Sequence, residues 1–325
     1  MTASPSLSII VPAYNVAASI DKCIASICIQ TRSDFEILLI DDGSEDATPD
    51  LGKLWSERDE RIRFFSLPHK GVAAVRNFGL REAHAEQIMF VESDDYLASD
   101  TVACLLKLKK EHDARIAIGG YVTETLEGEA TYPRQLGDKV LTGAQAYREA
   151  LYAERLQTYN CMKVFDKELF EGIEYPEGAF LEDYQVIPLV YRRAKRIVST
   201  SRVLYHYVQH EKSILNDAAH HAMVHSAWAT ACAKRYQEAM ASDALSRRQK
   251  AFYRIHLTRQ IIRTALEYAE CAAKADAQQE DNQLCLEKTL ELLERVYGKR
   301  VRIEELETVL KKTIRQKALV KLFYW

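Results

Sequence analysis

The first half of the chain alternates short apolar runs with segments in which apolar residues recur at helical spacing. The apolar runs lie at residues 7–11, 35–40, 63–66, 87–91 and 115–118. Strands that alternate with helices over such short distances are typical of a mostly parallel sheet covered by helices on both faces. The pattern therefore predicts an α/β fold whose first strand ends at Pro12.

Beyond about residue 216 the sequence changes character. Glycine almost disappears, and Ala, Leu, Glu, Lys and Arg predominate as far as residue 325, which is typical of helices. We therefore expect two regions, an α/β domain over residues 1–215 and a helical region over residues 216–325. Within the first, residues 119–139 lack regular patterning and are expected to form strand edges and a loop.

Composition argues against several classes of protein. The 44 basic and 47 acidic side chains nearly balance, so the overall charge does not indicate a nucleic-acid partner. The seven cysteines form no CxxC pair and are expected to be reduced, as in a cytoplasmic protein. There is no signal-peptide pattern, and no apolar run reaches the roughly 18 residues that span a bilayer. We expect a cytoplasmic protein, with peripheral attachment to the inner face of the membrane left open.

Three polar clusters stand directly after predicted strands: residues 12–15 (PAYN), 41–44 (DDGS) and 92–95 (ESDD). In sheets of this kind, ligands bind beyond the carboxyl ends of the strands. Turn chemistry explains any one of these clusters, but three in corresponding places indicate a binding site.

The cluster at residues 92–95 contains three carboxylates, which repel one another unless a cation neutralises them. Oxygen ligands suit Mg²⁺ or Mn²⁺, ions that also bind substrate phosphates. The alternative is a turn in which Asp94 or Asp95 caps the following helix.

The cluster at residues 41–44 has two interpretations as well. Its carboxylates suit hydrogen bonds to a nucleotide base or a ribose, and its Asp-Gly step suits a simple turn. Arg76, in the helix predicted from residue 72, is either a solvated side chain or one that pairs with a diphosphate or orients an Asp.

Taken in order, these motifs resemble the family-2 glycosyltransferases of GT-A fold. The resemblance covers about residues 6–215 and rests on the segments VPAYN (11–15), DDGS (41–44), GVAAVRN (71–77) and FVESDD (90–95), followed by YPEG (175–178), ED (182–183), LYHY (204–207) and KSI (212–214). It implies an inverting enzyme that transfers a sugar from a UDP-sugar to a hydroxyl of a glycan or lipid-linked glycan, as in bacterial polysaccharide assembly.

The resemblance also implies residue roles on the nucleotide side. Pro12, Tyr14 and Asn15 are expected to line the nucleotide pocket. Asp42 is expected to meet the base, with Asp41 close by. The GxGxxG and GxxxxGK[ST] motifs of other nucleotide-binding folds are absent from the sequence.

On the reacting side, the resemblance implies that Asp94 and Asp95 bind Mn²⁺ or Mg²⁺ and that Asp183 is the catalytic base, with the neighbouring Glu182 as the alternative catalytic residue. Arg76 is expected to help hold the nucleotide. A metal stabilises the diphosphate leaving group, and a carboxylate must accept the proton of a poorly nucleophilic hydroxyl. The alternative for Glu182 and Asp183 is a pair of acids placed favourably at a helix N-terminus.

Two places remain open. The family usually has Asp at position 92, and the longer Glu92 is expected to reach either metal-bound water or the donor sugar. His206, His210 and Lys212 fall in a segment that is suited to covering the donor phosphates, and exposed-loop chemistry explains them equally well.

The C-terminal residues 310–325 form a basic pattern with an apolar stripe and aromatic tip. Such a helix lies on an anionic membrane or packs against its own domain or a second subunit in a homo-oligomer. Two other functions are alternatives for such a chain: a sugar-nucleotide nucleotidyltransferase, whose glycine-rich basic loop is missing from the sequence, and a non-catalytic assembly protein.

Overall fold

The computed structural model describes residues 4–125, 128–130, 137–151, 156–179, 181–209, 221–272, 279–309 and 311–312. The chain divides into two compact units. The first is an α/β unit that contains nearly all described residues up to 209, and the second contains the helices from residue 221 onward.

A single sheet runs through the α/β unit. Its strands are β1 (Leu7–Ala13), β2 (Phe35–Asp41), β3 (Ile62–Ser66), β4 (Gln87–Phe90), β5 (Tyr96–Leu97), β6 (Ile116–Thr125), β7 (Lys139–Thr142), β8 (Lys163–Asp166) and β9 (Arg196–Gln209). The strand order is β3-β2-β1-β4-β8-β6-β9-β5, with β7 paired to β9. Strands β1 to β4 run parallel, as do β6 and β9, whereas β8 is antiparallel to both its neighbours.

In the part of this unit that the structure describes, six α-helices cover the two faces of the sheet: α1 (Ile20–Cys28), α2 (Thr48–Arg58), α3 (Val72–Glu82), α4 (Thr101–Glu111), α5 (Gly143–Leu151) and α6 (Glu182–Arg193). Consecutive residues of β1 point to opposite faces, so Ile9 joins the apolar cluster with α1 and α4, and Ile10 the cluster with α3, α5 and α6. The predicted α/β fold, with helices on both faces, is confirmed.

Two predicted strand limits are wrong. β1 continues past Pro12 to Ala13, because its pairing with β4 ends at Ile10 while its pairing with β2 goes on, so the missing N–H of proline breaks no ladder. β6 extends to Thr125 because β9 runs alongside it over that length.

The second unit consists of α7 (His221–Ala241), α8 (Arg247–Ala272) and α9 (Gln279–Tyr297). α9 packs against both α7 and α8, and Cys232, Ile261 and Leu293 are buried within the unit. Of the described helices, none has the length and apolar character needed to cross a membrane. The tail at residues 310–325, where a membrane or subunit contact was predicted, lies outside the described residues except for 311–312.

Candidate active site

The three polar clusters follow adjacent parallel strands. Ala13 at the end of β1 is in register with Asp41 at the end of β2, and β4 ends on the other side of β1. Because parallel strands end at the same edge of a sheet, all three clusters lie along one edge.

Asp42 connects two loops at this edge. Its side chain is buried, and its two oxygens accept hydrogen bonds from the backbone N–H groups of Lys70 at 2.9 Å and Gly71 at 2.8 Å. Gly71 has a φ of 90°, a conformation that favours glycine, and it immediately precedes α3. Asp42 therefore fixes the start of the helix that carries Arg76.

Asp41 is fully buried and stabilises its own turn. It accepts hydrogen bonds from the N–H of Ser44 and the hydroxyl of Ser66, both at 3.2 Å. Asn15 reaches the same turn, because its N–H donates to Ser44 Oγ at 2.8 Å and its Oδ1 accepts from the N–H of Glu45 at 2.9 Å. The loops after β1 and β2 are thus tied together by short polar side chains.

Tyr14 is the accessible ring of this region. It is 44% exposed and stacks on His69, with ring centroids 4.3 Å apart. Asn15 is also exposed, whereas Pro12, Asp41 and Asp42 are buried. The residues predicted for the nucleotide side are therefore brought together, with Tyr14 presenting a flat surface and the two aspartates shaping the loops behind it.

Asp95 lies at the centre of the acidic cluster and is 1% exposed. Its oxygens accept hydrogen bonds from the Tyr205 hydroxyl at 2.6 Å and the N–H of Val208 at 2.9 Å. Burial raises the pKa of Asp95 well above its ordinary value, the charges of Asp94 and Glu92 raise it further, and the two hydrogen bonds lower it. The preceding residue, Asp94, is half-buried.

Arg76 joins the acidic cluster to the start of α6. One terminal amino group donates to Glu92 at 2.7 Å and the other to Glu182. The arginine is 5% exposed, and its Nε is buried without a hydrogen-bond partner. Burial alone would lower the pKa of Arg76, but the charges of Glu92 and Glu182 raise it above its ordinary value.

This placement differs from two expectations. Arg76 was predicted to hold the nucleotide, yet both its terminal groups are engaged by protein carboxylates. Glu92 was predicted to reach water or the donor sugar, and it reaches the guanidinium instead. The extra methylene of glutamate, relative to the usual aspartate, supplies this reach. We name Arg76, Glu92, Glu182 and Asp183 the bridged cluster.

Asp183 lies in the first turn of α6 and is half-buried. Burial raises the pKa of Asp183 above its ordinary range, and the charge of Glu182 raises it further, while Arg76 and the N–H of Tyr184 lower it. Leu181, just before the helix, adopts the left-handed conformation with a φ of 56°. A non-glycine residue in this region costs free energy, and such strain is often found at functional sites.

The donor set suits a hard divalent cation that shares its coordination with a ligand. Among the residues that the structure describes, no group of three or more His, Cys, Asp or Glu side chains is arranged to hold a metal by itself. Mg²⁺ and similar ions are commonly held by one or two carboxylates together with substrate phosphates and water. Asp94 and Asp95 fit that arrangement, and their mutual repulsion gives a cation a favourable place.

Sequence reasoning missed the residues that support these carboxylates. Tyr205 on β9 donates to Asp95 and accepts from the N–H of Glu92 at 3.2 Å, so it holds both ends of the acidic cluster. Asn77 binds the N–H and carbonyl of Tyr175, both at 2.8 Å. Tyr205 and Asn77 stand inside motifs of the resemblance, which was the only signal for them.

The predicted phosphate-covering side chains have mixed outcomes. His206 Nδ1 lies 2.7 Å from Glu124 Oε1, and its ring stacks on Tyr96 with centroids 4.3 Å apart. It is therefore engaged in packing beside the acidic cluster. His210 and Lys212 lie outside the described residues.

A cavity of about 780 Å³ opens at the opposite edge of the sheet. Gln87 at the start of β4 and Asp166 at the end of β8 line it. Two of its charged lining residues, Lys109 and Asp166, pair with each other. Of the predicted site residues that the structure describes, none lines this cavity.

The sequence matches a known protein family and several curated relatives. The sequence model described as Glycosyl transferase family 2 matches residues 8–173. The chain is 30% identical over 215 residues to glycosyltransferase GlyA of Streptococcus pneumoniae, covering 64% of this chain and 31% of GlyA. It is 31% identical over 216 residues to the uncharacterized glycosyltransferase EpsJ of Bacillus subtilis, covering 65% of this chain and 63% of EpsJ. The alignments thus span less than two thirds of either relative.

Two solved structures share the fold. S. aureus TarS (residues 1–349), in complex with UDP-GlcNAc, has a TM-score of 0.69 at 20% identity, covering 97% of this chain and 89% of that one. The mannosyltransferase PcManGT of Pyrobaculum calidifontis, in complex with GDP-Man and Mn²⁺, has a TM-score of 0.56 at 16% identity, covering 99% and 88%. At these identities the likeness establishes the fold alone.

Proposed function

Because this chain belongs to glycosyl transferase family 2, we propose that it transfers a sugar from a UDP-sugar to a hydroxyl group of a glycan or lipid-linked glycan, with inversion at the anomeric carbon. The observation that carries the proposal is the Arg76 bridge between Glu92 and Glu182. It brings the acidic cluster and Asp183 to one place, although they are about ninety residues apart in sequence. A leaving-group site and a base must be neighbours for such a displacement.

In this proposal Asp183 accepts the proton of the acceptor hydroxyl as that oxygen attacks the anomeric carbon. A general base works best when its pKa lies near the working pH, and burial together with Glu182 raises the pKa of Asp183 in that direction. The new C–O bond forms as the bond to the diphosphate breaks, so a single displacement inverts the anomeric centre. Glu182 is held by Arg76 and is therefore assigned to positioning.

Asp94 and Asp95 are the residues that would hold a divalent ion, which when bound stabilises the negative charge of the diphosphate as a Lewis acid. The hydrogen bonds of Asp95 to Tyr205 and Val208 set the loop, so we give the half-buried Asp94 the closer contact with the ligand. Tyr14 offers its exposed ring to the base, and Asn15, Asp41 and Asp42 shape the loops beside it.

The complex of TarS with UDP-GlcNAc supports a uridine nucleotide as donor, and that of PcManGT supports Mn²⁺ as the ion. We propose that the α/β unit, residues 1–215, carries catalysis. The helices from residue 216 would contact the acceptor, a second subunit or the membrane surface at the cytoplasmic side. The family match favours glycosyl transfer over the nucleotidyltransferase and assembly-protein alternatives.

Thermal unfolding in the presence of UDP and Mn²⁺ tests the proposal directly. We expect the midpoint to rise when both are present and to rise less with either alone, because a ligand that binds only the folded state stabilises it. A panel of UDP-sugars, assayed for UDP release without an acceptor, then identifies the donor. Absence of any shift and of any UDP release would overturn the proposal.

A further inference from the structure

Lys163 is a lysine buried at the functional edge of the sheet. It is 0% exposed, and its Nζ donates to the carbonyl oxygens of Tyr159 at 2.6 Å and Cys161 at 3.2 Å. It opens β8, whose next residue pairs with Met89 of β4, so Lys163 stands beside the end of the strand that leads to Glu92. Burying an ammonium group costs on the order of several kcal/mol unless hydrogen bonds and an opposite charge offset it.

The two carbonyls belong to residues 156–162, a segment that we name the support loop. Met162 is buried in the left-handed conformation with a φ of 58°, and its carbonyl accepts from the N–H of Gly119 at 3.0 Å. Strained backbone of this kind persists only where its surroundings hold it. Lys163 helps to stabilise this backbone, because its Nζ donates to two carbonyl oxygens of the support loop.

The support loop also contacts the bridged cluster. Asn160 Oδ1 accepts from the Tyr175 hydroxyl at 2.5 Å, and the guanidinium of Arg76 lies 5.9 Å from the Tyr175 ring centre. Asn77, one residue further along α3, fixes the backbone of Tyr175. A shift of the support loop would therefore reach Arg76 through Tyr175.

Several titratable groups surround Asp183, and three of them are neutral because burial raises the pKa of the Cys161 thiol and of the Tyr175 and Tyr191 hydroxyls. The titratable groups that face it come from α3, the end of β4, the support loop, β8, the segment before α6 and α6 itself: Arg76, Glu92, Cys161, Lys163, Tyr175, Glu182 and Tyr191. Among these groups the cations are Arg76 and Lys163, and Arg76 binds Glu92 and Glu182. Burial lowers the pKa of Lys163 to about 8, while the charges of Cys161 and Asp183 act to raise it.

We propose that Lys163 is a positioning residue of the active site, which fixes the support loop and, through Asn160 and Tyr175, the place of Arg76 beside Asp183. The inference rests on the proposed function, since it assigns Asp183 the role of base. An opposite charge nearby favours ionisation of a carboxyl group. The charge of Arg76 lowers the pKa of Asp183, so a displaced Arg76 is expected to make Asp183 harder to deprotonate.

The test compares wild type with Lys163→Gln and Lys163→Met, following UDP release against pH with Mn²⁺ and the UDP-sugar that wild type hydrolyses fastest. Glutamine keeps a donor for a loop carbonyl without the charge, and methionine removes both. We expect the acidic limb of the profile to move upward by roughly one pH unit in both variants. Lys163→Arg keeps the charge and is expected to retain the wild-type limb.

Lys167→Met is the matched control. Lys167 also donates to a backbone carbonyl, that of Ala83 at 2.6 Å, but it lines the cavity at the opposite edge of the sheet. Its variant should keep the wild-type limb. A wild-type limb in Lys163→Gln, or in both variants, would overturn the inference even if their unfolding midpoints fall. Absence of UDP release from wild type would instead overturn the proposed function.

Discussion

The two sides of the candidate site hold their carboxylates in different ways. On the nucleotide side, the oxygens of Asp42 accept from backbone N–H groups, and Asp41 is bound by a backbone N–H and a serine hydroxyl. In the bridged cluster, Glu92 and Glu182 share one buried guanidinium. The first arrangement relies mostly on backbone N–H groups, together with the Ser66 hydroxyl and the ring of His69, whose Nδ1 lies 2.9 Å from Asp42 Oδ2. The second relies on one charged side chain whose loss leaves two carboxylates unpaired.

The difference predicts where the molecule is sensitive. The backbone donors to Asp41 and Asp42 cannot be removed by substitution, so the nucleotide side should lose less than the bridged cluster when one side chain is changed. The bridged cluster depends on single side chains from separate elements, so the loss of any one of them is expected to disrupt the cluster.

Asp183→Asn should nearly abolish transfer and leave the binding of UDP on the nucleotide side intact. If Asp183 is the base, its loss lowers transfer by roughly 10²–10⁴-fold, because an amide cannot accept the proton. Binding of UDP, which we assign to the other side, should be unchanged in a thermal-shift or calorimetric titration. Retained turnover would remove Asp183 from the role of base, and joint loss of binding and turnover would show that the two sides are not independent.

Arg76→Met should have the largest effect on stability. It leaves the carboxylates of Glu92 and Glu182 without their partner in a largely buried place, which costs about 3–5 kcal/mol. The measurement is the midpoint and slope of unfolding in urea. Adding Glu182→Gln to the variant should recover part of the loss, since it removes one of the unpaired charges.

Arg115→Met is the control for this change. Arg115 also bridges two carboxylates, Asp166 and Glu168, but it is 26% exposed and lies at the opposite edge of the sheet. Pairs that are open to solvent contribute about 0.2–1 kcal/mol each. Equal losses in the two variants would contradict the view that burial makes the Arg76 bridge critical.

These contacts also explain how far the sequence could predict the molecule. The strands and helices of the first half follow from local apolar periodicity, and the clusters after β1, β2 and β4 could be placed at one edge from strand order alone. The partners of Asp42 are the N–H groups of a loop, so that carboxylate could be identified although its contacts could not.

The rest could not be predicted, because it depends on pairings between distant elements. β8 lies between β4 and β6 and is antiparallel to both, which brings Lys163 beside the acidic cluster. No local pattern of residues 163–166 predicts this pairing. Arg76 meets Glu182 across 106 positions of sequence. Its contacts with Glu92 and Glu182 could not be predicted from α3 alone, because tertiary partners decide what a buried arginine binds.

Tyr205→Phe tests the support of the acidic cluster. The hydroxyl donates to the buried carboxyl of Asp95, and its loss should cost about 1.5–3 kcal/mol of unfolding free energy if that carboxyl is ionised. It should also weaken the stabilisation by UDP with Mn²⁺, since the loop that carries Asp94 loses an anchor. Tyr191→Phe is the comparison, because Tyr191 is equally buried and donates to the carbonyl of Gln157 at 2.8 Å. That neutral bond should cost only about 0.5–1.5 kcal/mol.

The smallest expected effect concerns pH and distinguishes stability from activity at one residue. Burial and the charge of Glu182 raise the pKa of Asp183 in the folded protein. A carboxyl group with a raised folded-state pKa favours folding while it is protonated, and this contribution is lost as the pH rises through that value. Activity runs the other way, because the base must be ionised, so UDP release should fall roughly tenfold per pH unit below the raised pKa.

Asp183→Asn resembles the protonated group at every pH. Its unfolding midpoint should therefore match that of wild type at low pH and exceed it above the raised pKa, where wild type must hold an ionised carboxylate beside Glu182. The variant that is least active would then be the more stable one, as expected where a site keeps a charge that folding alone disfavours. An acidic limb at the ordinary carboxyl pKa, or a variant that is less stable than wild type at high pH, would show that Asp183 is not a carboxylate held at the expense of stability.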